Sequence, residues 1–239
     1  QAALVGGMAF GWKLKVREQF YQSLRRTGTL HVVAASGQNV TIVAEVILAG
    51  LLVILKRRQA VVALIIVIGG YTVVSGMSPS IVRAAIMGSL SFIAMALGRQ
   101  QDGIVALVGA SLVMLAIKPL LIFDVGWQLS VAATAGILVI YPRLREKWAN
   151  WPEKIRFLGD SLAVTVSAQI ATLPIMVITF DNLSVIAPVV NVVIAPLVPL
   201  IMVGGGALAV VGSVWEGLAR ILALLVWVPA TIFVQIVEL

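Results

Sequence analysis

The chain has 239 residues, of which 61% are hydrophobic and 11% charged, and its net charge is +7. A soluble domain has about a quarter charged residues, so the solvent for this chain is a bilayer and the fold class is all-α, a polytopic helical membrane protein. No cysteine and a single histidine are present, which excludes disulfides, thiolate chemistry and a multi-histidine metal centre.

Residues 12–26, WKLKVREQFYQSLRR, come first. Trp12, Val16, Phe20 and Leu24 recur every four positions, the pattern of an amphipathic helix lying in the membrane interface, and Thr27-Gly28 would end it. Its Lys13, Lys15, Arg17, Arg25 and Arg26 would form a basic collar at the outer mouth of a pore, or simply snorkel to the headgroups. The transmembrane core then runs over 30–239 as a single domain. It opens on LHVVAASGQNVT, with His31, Ser36, Gly37, Gln38 and Asn39 clustered in an otherwise apolar run. Lipid does not tolerate such a cluster unanswered, so an interrupted turn at Gly37 is expected, in a re-entrant or discontinuous element facing an aqueous cavity.

Further spans are expected over 39–55, 60–75, 80–97, 103–117, 125–141, 161–180, a Pro-rich 184–212 and 217–238, about seven to eight membrane segments in all. Pro188, Pro196 and Pro199 surround Asn191, so that segment should be broken or kinked, with Gly204-Gly205-Gly206 adding slack. If the spans alternate, nine basic residues share one side: Lys56, Arg57, Arg58, Arg99, Arg143, Arg145, Lys147, Lys154 and Arg156. That side is expected to be cytoplasmic, and the net positive charge needs no nucleic acid to explain it. The chain begins at Gln1 and ends inside an apolar segment, and it reads as a piece of a longer protein.

Polar residues inside spans carry the functional signal, since an intramembrane arginine costs about 2.5–3.5 kcal/mol on insertion scales. Ser80, Arg83, Ala84, Met87, Gly88 and Ser91 share one helical face, while Val82, Ile86, Leu90 and Ile93 lie mostly opposite. Ser161, Thr165, Gln169 and Thr172 line a face of a later span, and Asp124 and Gln128 are one turn apart. A single Ser or Thr back-bonds to its own helix and a single Gln or Asn bridges to a neighbour, but the accumulation points to a polar path.

At these residues the chain resembles the competence domain of the ComEC family, the inner-membrane DNA channel of natural transformation. FYQSLRRTGTLHVVAASGQNVTIVA is similar to the family's stretch from interfacial helix to first core span, through Thr27-Gly28, His31, Ala34, Ser36 and Gly37. Ser78, Pro79, Ser80, Arg83 and Ala84 match the Ser-Pro-Ser-x-x-Arg-Ala run. Pro119, Asp124, Gly126, Trp127, Gln128, Leu129 and Ser130 match a third motif, and Asn191 with Pro196 a fourth. Gln38-Asn39 departs from the Leu-His of many members. The resemblance implies passage of single-stranded DNA across the bacterial inner membrane. It also implies partners: an outer DNA receptor, a cytoplasmic helicase-like motor, and OB-like and metallo-β-lactamase-like domains that this fragment lacks.

The expected path residues are His31, Ser36, Gly37, Gln38, Asn39, Arg83, Asp124, Gln128, Gln169 and Asn191. No catalytic residue, cofactor or metal is expected, and nothing resembles a phosphate-binding P-loop. Two other classes compete. A secondary transporter of a small solute would use a broken-helix site, but needs an internal repeat and a coupling-ion site. A membrane enzyme would need a nucleophile and base, for which only Ser36 and His31 offer themselves.

Overall fold

A computed structural model describes residues 2–10, 18–33, 36–148, 152–180 and 186–238. Every regular element among them is helical, as a chain without water at its backbone requires. In chain order the helices are α1 (Ala2–Phe10), α2 (Glu18–Arg26), α3 (Leu30–Val33), α4 (Gly37–Ile54), α5 (Arg57–Val74), α6 (Pro79–Ala96), α7 (Gly103–Ile117), α8 (Val125–Arg145), α9 (Glu153–Phe180), α10 (Ala187–Ile194), α11 (Leu197–Gly212) and α12 (Glu216–Glu238). Short 3₁₀ turns, Pro119–Phe123 and Glu146–Trp148, flank α8.

Six of these helices, α4, α5, α6, α8, α9 and α12, are long and apolar enough to cross a membrane. Helices α10 and α11 meet at a 48° bend and count as one broken span, while α7, at 15 residues, is shorter. This is a multi-pass membrane protein with six candidate spans among the described residues, seven with the broken pair, against the seven to eight expected; α7 is the expected segment that falls short. Pro188 stands second in α10, where a missing amide costs nothing. The break falls between Ile194 and Leu197, at Pro196.

Two compact units make up the chain, one of Gln1–Ala85 with Val193–Leu239, the other of Ile86–Val192. In the first, α2 ends in a Schellman turn. Gly28 takes φ +67°, and the amides of Gly28 and Thr29 donate to the carbonyls of Arg25 and Leu24 at 3.2 and 2.9 Å. The apolar edge of α2, Phe20 and Leu24, is buried, and α2 packs on α12. The part of the amphipathic helix before Glu18, with Lys13, Lys15 and Arg17, lies outside the described residues. Helix α1, unforeseen from sequence, packs on α11.

Two glycines of α11 are used for contact rather than slack. A Cβ at Gly204 would lie 2.6 Å from Val226 Cγ2 of α12, and one at Gly205 2.6 Å from Val5 Cγ1 of α1. The helix runs unbroken from Leu197 to Gly212, so the expected looseness at 204–206 is absent. Apolar neighbours on two faces hold the backbone, and small residues are what let helices approach in lipid.

In the second unit, α8 and α9 form an antiparallel hairpin. A Cβ on Gly136 would come within 2.5 Å of both Ala171 Cβ and Ser167 O, so the two backbones touch there. Nearer the turn, Tyr141 Oη donates to Asp160 Oδ1 at 3.4 Å, and Arg145 Nε lies 3.5 Å from the same oxygen. Helix α8 continues past Pro142 to Arg145, and α9 begins at Glu153, well before the span expected at 161. Both helices extend beyond the apolar stretch that betrays them in the sequence.

The Gly136 contact yields a test. Gly136→Leu is expected to lower the thermal stability of the detergent-solubilised protein by about 1–3 kcal/mol, because backbone stands where the side chain must go. Gly206→Ala, with nothing within 4 Å of the new methyl, is expected to leave it unchanged or slightly raised.

Candidate functional site: a buried arginine between two helix starts

The opening cluster and the Ser-Pro-Ser-x-x-Arg-Ala run meet in the first unit. Ser36 holds extended backbone (φ −120°, ψ 169°) before α4, so the stretch is interrupted there rather than at Gly37, which is already helical and needs no unusual backbone. Ala34 and Ala35 lie outside the described residues.

Gly37, the first residue of α4, sits directly on α6. A Cβ there would be 3.1 Å from Ala84 Cβ, 3.2 Å from Arg83 Nη2 and 3.7 Å from Ser80 O. Glycine is what permits the approach. The start of α6 is set by Pro79 at its first position, after a turn in which Gly76 and Met77 both take positive φ, +83° and +52°. Two helix N-termini therefore adjoin, each with the positive end of its peptide dipoles. Arg83 lies between them, 6% exposed. A guanidinium at two helix starts concentrates positive potential on one spot, and such a spot attracts anions.

Asn39 holds the interruption in place. It is 1% exposed, its Nδ2 donates to Met8 O of α1 at 2.8 Å, and its Oδ1 accepts from Ser36 Oγ at 3.1 Å. Gln38 beside it is exposed, and Ser36 and Gly37 are half-buried. His31 is exposed, and its Nδ1 is 2.9 Å from Gly28 O. A carbonyl can only accept, so Nδ1 carries the proton in this contact. Ser36 gives its hydroxyl proton to Asn39 and His31 is engaged with Gly28. Among the described residues no hydrogen bond joins the two as nucleophile and base.

The remaining expected residues lie in the second unit. Asp124 caps α8, its Oδ1 accepting from the amide of Trp127 at 2.7 Å, and Gln128 Nε2 donates to Ile122 O at 2.7 Å. Both side chains serve the 3₁₀ turn and helix start that Pro119 initiates. Gln169 is half-buried on α9, where Thr165 and Thr172 back-bond to Ser161 and Ala168 at 3.0 and 2.9 Å. Asn191, on α10, keeps its Oδ1 buried without a partner among the described residues. Arg25 and Arg26 are exposed at the end of α2. The described residues hold no group of acids and histidine able to bind a metal. Reading the sequence missed the Met8 carbonyl, for which no side-chain signal exists.

Residues 8–239 match the protein family described as Competence protein. This chain belongs to that family. Two curated relatives accompany the match. The chain is 25% identical over 244 residues to "Uncharacterized protein YcaI" of Escherichia coli (strain K12), covering 94% of this chain and 32% of that protein. It is 24% identical over 212 residues to "ComE operon protein 3" of Bacillus subtilis (strain 168), covering 87% of this chain and 26% of that protein. This Competence-family chain thus spans about a quarter to a third of the relatives it matches. No solved structure matches it.

Asn39 is expected to matter to the Competence-family fold more than its exposed neighbour. Asn39→Ala leaves the Met8 carbonyl and the Ser36 hydroxyl without their partner and should cost about 1–3 kcal/mol in thermal unfolding. Gln38→Ala should stay within about 0.5 kcal/mol of the parent protein.

Proposed function

We propose that this chain is the membrane channel domain through which single-stranded DNA crosses the bacterial inner membrane during natural transformation. Membership of the Competence protein family supports the setting, as does the likeness to ComE operon protein 3. The observation that carries the mechanism is Arg83 at the adjoining starts of α4 and α6. A DNA strand offers one phosphate per nucleotide, and a fixed positive focus would engage each in turn. A single such focus guides without trapping, since a pore must release its cargo.

In this reading the Gly37 amide and the Gln38 side chain offer donors beside Arg83, and Asn39 holds the Ser36 hydroxyl at the rim. His31 stands one turn before them, and Asn39 holds the interruption open. Gln169 and Asn191 are further polar stations, and Asp124 and Gln128 shape the start of the span that carries them. Arg25 and Arg26, with Lys13, Lys15 and Arg17, form the outer collar, which should make uptake salt-dependent. The domain performs no bond chemistry. An outer DNA receptor, a helicase-like motor on the cytoplasmic side, and OB-like and metallo-β-lactamase-like domains of the same full-length protein would deliver, pull and trim the DNA.

The test is transformation by the full-length protein carrying Arg83→Ala or Arg83→Lys, with membrane abundance measured beside it. A charge-assisted phosphate contact is worth about 1.5–3 kcal/mol, so Arg83→Ala should lower transformation about 10- to 100-fold at unchanged abundance. Arg83→Lys should retain part of it, keeping the charge but losing the fork. Normal transformation by Arg83→Ala at normal abundance would remove Arg83 from the path. The 48° broken span favours one rival, a small-solute transporter; a variant that loses solute flux while transforming normally would select it.

A further inference from the structure

One feature of the first unit lies apart from the Arg83 site. Along α12 lies an open trough made of two adjoining concavities, of about 300 and 460 Å³, which share Arg220 and Ala223; α11 bounds the first, and α12 alone lines the second. Leu208, Gly212 and Ala219 line one end, and Leu224 and Trp227 the other. Small residues open it: a Cβ on Gly212 would already touch Ala219 Cβ, at 3.7 Å. The helices on either side are membrane-spanning, and Leu224, Trp227 and the nearby Trp215 are 67%, 53% and 66% exposed. Trp215, one residue before α12, stands at the end of the span, where an exposed tryptophan marks the headgroup level, whereas Trp227 lies at the middle of the helix.

Two opposite charges stand at this trough. Glu216 and Arg220 are one helical turn apart, both exposed, and neither is in an ion pair among the described residues. Either alone has an ordinary account, Glu216 in the helix dipole and Arg220 in snorkelling. An acid and a base left open to each other, about 5–6 Å apart at their Cβ atoms, have another. They are complementary to a ligand carrying both charges on a short bridge.

We propose that this trough binds a phosphoethanolamine-headed phospholipid. The Arg220 guanidinium takes the phosphate as a two-pronged acceptor. The Glu216 carboxylate takes the primary ammonium, which has three protons to donate. An acyl chain lies along Leu208, Ala223 and Leu224. A phosphoglycerol headgroup lacks the cation and meets Glu216 as like charge. A phosphocholine headgroup has the cation but no N–H to give.

The test is native mass spectrometry of the detergent-purified chain offered equimolar dioleoyl phosphatidylethanolamine, phosphatidylglycerol and phosphatidylcholine. The parent protein should retain the ethanolamine lipid about tenfold over the others, the ratio for one charge-assisted hydrogen bond. Arg220→Gln should lower that retention about tenfold, and Glu216→Gln should bring phosphatidylglycerol to parity. Ala223→Phe, which fills the trough without touching either charge, should lower retention of all three lipids. The proposal is overturned by equal retention of the three headgroups in the parent protein. It is equally overturned if ethanolamine-lipid retention is unchanged in Arg220→Gln or in Ala223→Phe. Unfolding temperatures close to the parent's identify a variant as folded, and Ala223→Phe decides the matter should Arg220→Gln fail to fold.

Discussion

In hydrocarbon two helices gain little from burying a leucine against each other, because lipid tails offer the same surroundings. What holds them together is the close approach of a neighbour to a helix backbone, and contact that close needs a missing side chain. Gly136 supplies it between α8 and α9, Gly204 and Gly205 supply it on two sides of α11, and Gly37 supplies it between α4 and α6. The last of these does more than pack. By drawing the start of α4 onto α6, Gly37 sets peptide dipoles against a buried arginine, so the contact that builds the fold also builds its electrostatic focus.

Asn39 adds what packing cannot. An interrupted span leaves backbone groups that lipid will not satisfy, and its polar residues must find partners inside the protein. Ser36 finds Asn39, and Asn39 finds a carbonyl 31 residues earlier in the chain. The three polar residues Ser36, Gln38 and Asn39 are therefore not equivalent. One is structural and buried, and Gln38 next to it is exposed. An interruption stabilised on one side and open on the other is the kind of element that can line a passage.

Most of the helices were legible because long apolar runs in a charge-poor chain have a single solution. Their ends were less so. Hydropathy reports where lipid begins, while α8 runs on to Arg145 and α9 starts at Glu153, through residues lipid would reject. Helix α1 was invisible at nine residues: it is too short to span and apolar all round, with no stripe to give a period. The face of α6 carrying Ser80, Arg83 and Ala84 was legible from the helical repeat, and all three lie near Gly37. That α4 is what meets this face was not, since nothing local names the partner of a glycine. Asp124 and Gln128 were read for polarity, although Asp ahead of a helix after Lys-Pro is equally a capping pattern.

The first unit is assembled from the two ends of the chain, and this has a consequence in time. The α8–α9 hairpin joins helices that are neighbours in sequence, so it can close while later residues are still being made. Helix α1 has only the four-residue α3 as a partner near it in sequence, and its main partner is α11. Val5 and Ala9 rest on Gly205, about 200 residues further along. At a synthesis rate of about 5–20 residues per second, α1 waits on the order of ten seconds or more for that surface to exist. Until then only nearer contacts such as Asn39 on Met8 restrain it, so a segment made earlier than α11 is enclosed only after it.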